Sequence, residues 1–137
     1  ALLHDVVITL GIFTLLSDVV SFNLLIDQNI IAAYLTIDGY SWNDTVAASD
    51  RIRENKLVHK GMDTIEMFNK SLNDTLSRTV ITSLTTFFVV TILFIFGGEV
   101  LKGLSFALII GVILGTYSSL FVASPLVLEL DSKKTTK

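Results

Sequence analysis

The sequence of 137 residues contains no cysteine, a single proline, a single tryptophan and only two histidines. Without cysteine, disulfides and thiolate metal sites are excluded. The two histidines, His4 and His59, lie too far apart in the sequence to form a ligand pattern. No nucleophile–base pair or metal cluster is recognisable, so the sequence gives no indication of a hydrolytic enzyme or of a cofactor.

Charge is also scarce, whereas apolar residues are abundant. Charged residues make up 17% of the chain, hydrophobic residues make up 51%, and the mean hydropathy is +0.68. The net charge of −3 gives no support to nucleic-acid binding. A helix needs about 18 or more mostly apolar residues to cross a lipid bilayer. Four such runs occur, and they predict an all-α integral membrane protein with spans at about 2–20, 28–48, 79–97 and 103–125.

The basic residues predict the orientation of these spans. Nine of the ten Lys and Arg residues lie either between positions 51 and 78 or after position 130. The positive-inside rule then places the 51–78 connector, the 131–137 tail and the N-terminus of the chain in the cytoplasm. Residues 1–130 would form the transmembrane domain. The first residue is alanine and no signal peptide is recognisable, so we expect the chain to be part of a longer protein.

The connector itself carries a helix signal. Asp63 and Glu66 are spaced as a capping box, and Gly61 separates them from the preceding span. Apolar residues then follow at intervals of three and four, at Ile65, Phe68, Leu72 and Leu76. This pattern predicts a short amphipathic helix on the cytoplasmic face of the membrane or against the bundle. An ordinary solvated linking helix is the alternative.

Glycine and proline mark the last two spans. The sequence Gly97-Gly98-Glu99 predicts a tight turn between them. Gly111 and Gly115 form a small-xxx-small pair, which allows another helix to approach closely. Pro125 is typical of a kink or of the inner end of the span.

Two residues of opposite charge stand at the ends of apolar runs, Asp44 in the second span and Arg78 at the start of the third. An ionisable residue within a bilayer is costly and is therefore a functional candidate. At a rise of about 1.5 Å per residue, Asp44 lies roughly 20 Å below the outer boundary, in the inner half of the membrane. Arg78 begins at a similar depth, so an ion pair and a proton pathway are the working hypothesis.

Simpler interpretations remain open for both residues. Arg78 can extend its guanidinium to the cytoplasmic headgroups or pair with Asp74 one turn earlier. Asp44 can lie at the interface, because its sequence neighbours are polar. Asp38 is a further candidate for proton transport, since it lies six residues before Asp44 and about 9 Å nearer the midplane.

Six blocks of the sequence resemble the SecF branch of the SecD/SecF family of protein-export membrane proteins. They occur in the family's order and cover nearly the whole chain, at residues 1–6, 39–46, 50–55, 75–86, 96–103 and 115–125. The first two read Ala-Leu-Leu-His-Asp-Val and Gly-Tyr-Ser-Trp-Asn-Asp-Thr-Val, and the fourth contains Thr-Leu-Ser-Arg-Thr.

The resemblance implies the C-terminal four helices of a six-helix bundle of the resistance–nodulation–division (RND) superfamily, in the bacterial cytoplasmic membrane. It also implies SecD, the SecYEG translocon and a preprotein as partners, with the proton-motive force driving export. The intramembrane Asp and Arg of the family fall on Asp44 and Arg78, and SecD is expected to supply another carboxylate.

The sequence departs from the family pattern at Asp38, at residues 46–49 and in the loop 24–29, which carries Asp27. The first departure raises the question whether Asp44 is the only protonatable group on its helix. Two other functions are considered: a proton-driven exporter of small molecules or lipids, and a non-transporting scaffold of the translocon.

Overall fold

The computed structural model describes residues 2–20 and 27–135, and all regular structure in these residues is helical. Five α-helices follow one another, with a π-helix between the last two. Their bounds are α1 Leu2–Leu16, α2 Gln28–Val58, α3 Thr64–Phe96, α4 Gly98–Tyr117, the π-helix Ser118–Ala123, and α5 Ser124–Thr135. Of the unusual loop noted at 24–29, residues 24–26 lie outside the described residues, and residues 27–29 lie within them.

Two helical segments of the described chain are long and apolar enough to cross a membrane, Thr64–Phe96 and Gly98–Lys134. The predicted first span is a shorter apolar helix, Leu3–Leu16. The predicted second span lies in the 31-residue α2, whose polar side chains lower its hydropathy. Length and composition therefore support two of the four predicted spans. Large apolar side chains such as Phe88, Ile92 and Ile95 are exposed on α3, as a lipid-facing surface requires.

The packing of α4 against α2 confirms the predicted role of the two glycines. Gly111 lies against the side chain of Ile37, and Gly115 lies against Ser41, one helical turn further along both chains. The two helices therefore run in the same direction, with each position on α4 facing the position 74 residues earlier. Because glycine has no side chain, the two helices can approach this closely.

The turn between α3 and α4 also agrees with its prediction. Gly97 ends α3, and Gly98 has a φ of 71°, a conformation that side-chain-bearing residues rarely adopt. Near this end of the bundle, aromatic rings fill the space between the helices. The ring of Phe13 lies 6.2 Å from that of Tyr34 and 5.8 Å from that of Phe106.

The connector helix exists but is not a separate element. It is the first part of α3, which continues without a break from Thr64 to Phe96. Asp63 is the N-cap, as the sequence indicates, but its side chain forms no capping hydrogen bond, so the capping box is wrong. Of the predicted apolar stripe, Phe68 is buried with Met67 against α2, whereas Ile65 is 60% exposed and Leu76 is 41% exposed.

The C-terminal segment is longer and more ordered than a simple tail. α5 continues to Thr135, and Lys56 of α2 donates to both carboxylate oxygens of Asp131, at 2.9 and 2.8 Å. Residues 136 and 137 of the predicted tail lie outside the described residues. Pro125 stands at the start of α5 directly after the π-helix. Because proline has no N–H to donate to the preceding turn, a change of helix type here has a clear cause.

Candidate functional site

The interior of the bundle is unusually polar for a chain with so many apolar residues. Among the described residues, eleven polar or charged side chains are buried, and they lie on every helix and on the π-helix: Asp5, Thr9, Ser41, Asp44, Asn55, Ser71, Thr79, Ser105, Ser118, Ser119 and Ser124. Two of them are carboxylic acids, Asp5 and Asp44. A carboxylate in such a position is costly unless it is paired, hydrogen-bonded or neutral.

Asp44 is buried on α2 with 8% of its surface exposed. Its Oδ2 atom has no hydrogen-bond partner in the described part of the protein. The register of α2 and α4 places Ser118, the first residue of the π-helix, at the same level, and the Ser118 hydroxyl is likewise buried without a partner. Buried polar groups of this kind mark positions where proteins hold water or carry out chemistry. Asp44 therefore faces the interior of the bundle and not its outer surface.

Arg78 is exposed on α3 and forms no direct ion pair with Asp44. Its charge nevertheless acts on the Asp44 carboxylate. The expected direct ion pair is thus absent from the described residues. The alternative pairing of Arg78 with Asp74 is absent there as well, and Asp74 instead accepts a hydrogen bond from Arg51 at 3.2 Å. Within the described residues Arg78 is thus an electrostatic neighbour of Asp44 without a contact.

Asp38 lies two turns before Asp44 on α2. Its side chain is half-buried, and its Oδ1 atom is buried without a hydrogen-bond partner in the described residues. The charge of Asp5 acts on it. Among the described residues Asp38 thus forms no ion pair with a basic side chain, and the charge that acts on it is that of another acid.

Asp5 is the residue that the sequence analysis missed as a candidate. It is completely buried on α1, and its Oδ2 atom accepts a hydrogen bond from the Ser41 hydroxyl at 2.8 Å. Its other oxygen lies 3.2 Å from Nδ1 of His4. The available signal was an acid four residues into a run of apolar residues, which by itself marks a functional candidate in a membrane helix.

A network of hydroxyl groups next to Ser41 joins α2, α3 and α4. The Tyr40 hydroxyl donates to Ser83 of α3 at 2.9 Å, and Ser83 lies 2.7 Å from the hydroxyl of Thr116 on α4. Such networks fix the relative rotation of helices where no water competes for the hydrogen bonds. In residues 2–20 and 27–135, no three His, Cys, Asp or Glu side chains converge as a metal site would require.

Comparison with known proteins identifies the chain. The family described as protein export membrane protein SecD/SecF, C-terminal, matches residues 1–133. The chain belongs to the SecD/SecF family. The resemblance inferred from the six sequence blocks is thereby confirmed.

The curated relatives indicate the SecF branch of the family. Protein translocase subunit SecF of Rhodothermus marinus is 62% identical over 133 residues, which is 97% of this chain and 43% of that protein. SecF of Escherichia coli O157:H7 is 49% identical over 135 residues, 98% of this chain and 40% of that protein. The chain thus spans less than half the length of the curated relatives it matches. Their name describes a role in transport and not in catalysis.

Two solved SecDF structures share the fold. A super-membrane-facing form of SecDF superposes with a TM-score of 0.87 at 42% identity, covering 98% of this chain and 18% of SecDF. SecDF of Thermus thermophilus, described as a translocon-associated membrane protein, gives a TM-score of 0.82 at 44% identity over 96% of this chain and 17% of SecDF. The all-helical architecture is therefore shared with a part of these SecDF proteins.

Proposed function

We propose that this chain is the proton-responsive membrane portion of a SecF-type subunit, which couples the proton-motive force to preprotein export across the bacterial cytoplasmic membrane. SecD and the SecYEG translocon are its proposed partners. The observation that carries the proposal is the Asp44 carboxyl, which is buried in the bundle with one oxygen unpartnered while the charge of Arg78 acts on it. The family membership supports the export role.

In this proposal all four apolar runs cross the membrane. The polar side chains of α2 that lower its hydropathy, such as Ser41 and Asp44, are buried inside the bundle and not exposed to lipid. The basic residues at positions 51–78 and after 130 favour a cytoplasmic location for both ends of the chain. The first part of α3, with Met67 and Phe68, then packs at the cytoplasmic end of the bundle.

The mechanism is electrostatic. While Asp44 is ionised, the charge of Arg78 stabilises it; when Asp44 takes up a proton, Arg78 loses that interaction and favours a different arrangement of the helices. A membrane potential of 100 mV drives one charge with about 2.3 kcal/mol, and a pH gradient adds to this. Such an energy biases a two-state element strongly without switching it completely. Further carboxylates, Asp38 on this chain and one from SecD, would extend the proton path.

The decisive experiment substitutes the two charged residues in the full-length protein with its SecD partner. We expect Asp44→Asn and Arg78→Met to abolish proton-driven export into inverted membrane vesicles, while co-purification with SecD remains normal. Asp50→Asn, an exposed acid on the same helix, is the matched control and should export normally. Asp38→Ile tests the extended path through a change in the pH dependence of export.

The rival functions give different results in the same vesicles. A scaffold that only stabilises the translocon would export normally with Asp44→Asn and Arg78→Met, which would refute the proposal. An exporter of small molecules or lipids would lose substrate efflux in these variants while preprotein export in a reconstituted translocon stayed unchanged.

A further inference from the structure

Asp5 is a buried acid that the proposed mechanism does not use. It is 0% exposed, on a helix whose other described residues are mostly apolar. Its side chain receives one hydrogen bond from a neutral group, the Ser41 hydroxyl at 2.8 Å. No Lys or Arg forms an ion pair with it among the described residues. The groups within hydrogen-bonding distance of this buried carboxyl are a hydroxyl and an imidazole, and neither carries the permanent positive charge that usually accompanies a buried carboxylate.

Two titratable groups face Asp5. His4 on the same helix brings its Nδ1 atom to 3.2 Å from Oδ1, and the His4 side chain is 36% exposed. Asp38 on α2 interacts with it electrostatically. The other helix packed against α1 is α4. Its charged residues Glu99 and Lys102 pair with each other at the N-terminal end of α4, away from Asp5. Asp5 thus has a partly exposed imidazole within hydrogen-bonding distance, and it interacts with the charge of Asp38.

The partner hydroxyl occupies a central position on α2. Ser41 follows Asp38 by three residues and precedes Asp44 by three, so each acid lies about 4.5 Å from it along the helix axis. Each acid is also rotated by about 60° from Ser41, on opposite sides of it. Asp38 and Asp44, which lie about 120° apart, are thus both neighbours of the position that Asp5 contacts.

We propose that Asp5 is a proton-carrying residue that joins Asp38 and Asp44 into one pathway through the Ser41 hydroxyl. The inference rests on the proposed function, because it presumes that protons move through this bundle. A proton taken up by Asp5 from His4 or Asp38 is released toward Ser41. The hydroxyl accepts one proton and gives up another toward Asp44, so that only the position of the excess proton changes. The unpartnered Oδ2 atom of Asp44 is the acceptor at the end of this path.

A purely structural role for Asp5 makes a different prediction. In that case the carboxylate only holds α1 against α2 as an acceptor for Ser41. An asparagine would retain an acceptor oxygen of the same size and leave function intact. A proton carrier, by contrast, cannot be replaced by asparagine but tolerates another acid.

The test uses the full-length protein with SecD in vesicles and compares Asp5→Asn, Asp5→Glu, Ser41→Ala and Asp44→Asn. We expect Asp5→Asn to lose proton-driven export while still co-purifying with SecD, and Asp5→Glu to retain part of it with a shifted pH profile. Normal export by an assembled Asp5→Asn protein overturns the proposal.

A second measurement does not depend on export. Infrared difference spectra recorded across a pH change should contain a carboxylic acid C=O band that disappears in Asp5→Asn and shifts in Ser41→Ala, because the hydrogen bond to that hydroxyl is lost. A carboxyl spectrum unchanged by both substitutions overturns the proposal, even if Asp5→Asn is poorly assembled. Normal export by Asp44→Asn would instead refute the proposed function, and the Asp5 band would still report whether this residue exchanges protons.

Discussion

Gly111 of α4 lies directly against Ile37 of α2: a methyl group placed on the glycine would come within 2.2 Å of two side-chain carbons of Ile37. Both residues are buried. Because such a distance is far below van der Waals contact, the backbones can approach this closely only without a side chain at position 111. The contact fixes the spacing between α4 and the helix that carries Ser41 and Asp44.

Substitution of Gly111 by alanine should therefore destabilise the protein. We expect a loss of about 1–3 kcal/mol from overpacking, measured as a lower unfolding midpoint in detergent. Gly39→Ala is the matched control, since nothing lies within 4 Å of the added methyl group and alanine favours a helix over glycine. Trimming the partner in Gly111→Ala/Ile37→Ala should recover part of the loss, and no recovery would contradict the packing explanation.

The two tyrosines of α2 should respond differently to removal of their hydroxyls. Tyr40 donates to Ser83 at 2.9 Å, whereas the hydroxyl of Tyr34 is buried without a hydrogen-bond partner in the described residues. Tyr40→Phe should cost about 0.5–1 kcal/mol, and Tyr34→Phe should be neutral or stabilising. Thermal unfolding of both variants in the same detergent compares them. Equal losses would mean that the Tyr40 bond contributes nothing specific.

A buried amide–hydroxyl bond ties the first part of α3 to α2. Asn55 donates to the Ser71 hydroxyl at 2.9 Å, and their residues are 4% and 1% exposed. Ser71→Ala leaves the Asn55 amide nitrogen buried without this partner and should cost about 1–3 kcal/mol. Asn55→Ala should cost less, because the Ser71 hydroxyl still donates to the Met67 carbonyl at 2.8 Å. In a double-mutant cycle, the combined loss should be smaller than the sum of the two. Strict additivity would show that the bond does not hold α3 in place.

Asp44→Asn should separate stability from function. The carboxylate is buried with an unpartnered oxygen, and an amide of nearly the same size removes the cost of burying a charge. We expect the unfolding temperature to stay the same or rise, although proton-driven export is lost. A marked fall in the unfolding temperature would instead assign Asp44 a structural role.

Local features of the sequence predicted much of this arrangement. Long apolar runs predicted helices, and the spacing of Gly111 and Gly115 predicted a close helix contact, because both depend only on residues near one another in the chain. The turn at Gly97 and Gly98 was recognisable for the same reason. In each case the residue type itself indicates the local structure, without information from distant parts of the chain.

Relations between distant segments were harder to predict. Asp44 was recognised, but its expected ion pair with Arg78 is not formed, because rotation of α3 about its axis decides where Arg78 points and sequence spacing does not encode that rotation. Asp5 was missed although an acid within an apolar run is a local signal, and its hydrogen bond to Ser41, 36 residues away, cannot be read from sequence spacing. The continuity of the connector helix with the third span was also missed. No glycine or proline interrupts residues 64–96, which favours one continuous helix, but the apolar stripe suggested a separate short helix.

The closeness of Gly111 and Ile37 also has a mechanical consequence. Contacts continue at every fourth residue on both helices, from Gly111 and Ile37 to Gly115 and Ser41, and parallel helices that touch in this way are expected to cross right-handedly. Such helices diverge on either side of their closest point. The contact then acts as a pivot: a small tilt of α4 would widen the gap beside Asp44 while narrowing the aromatic end near Phe13.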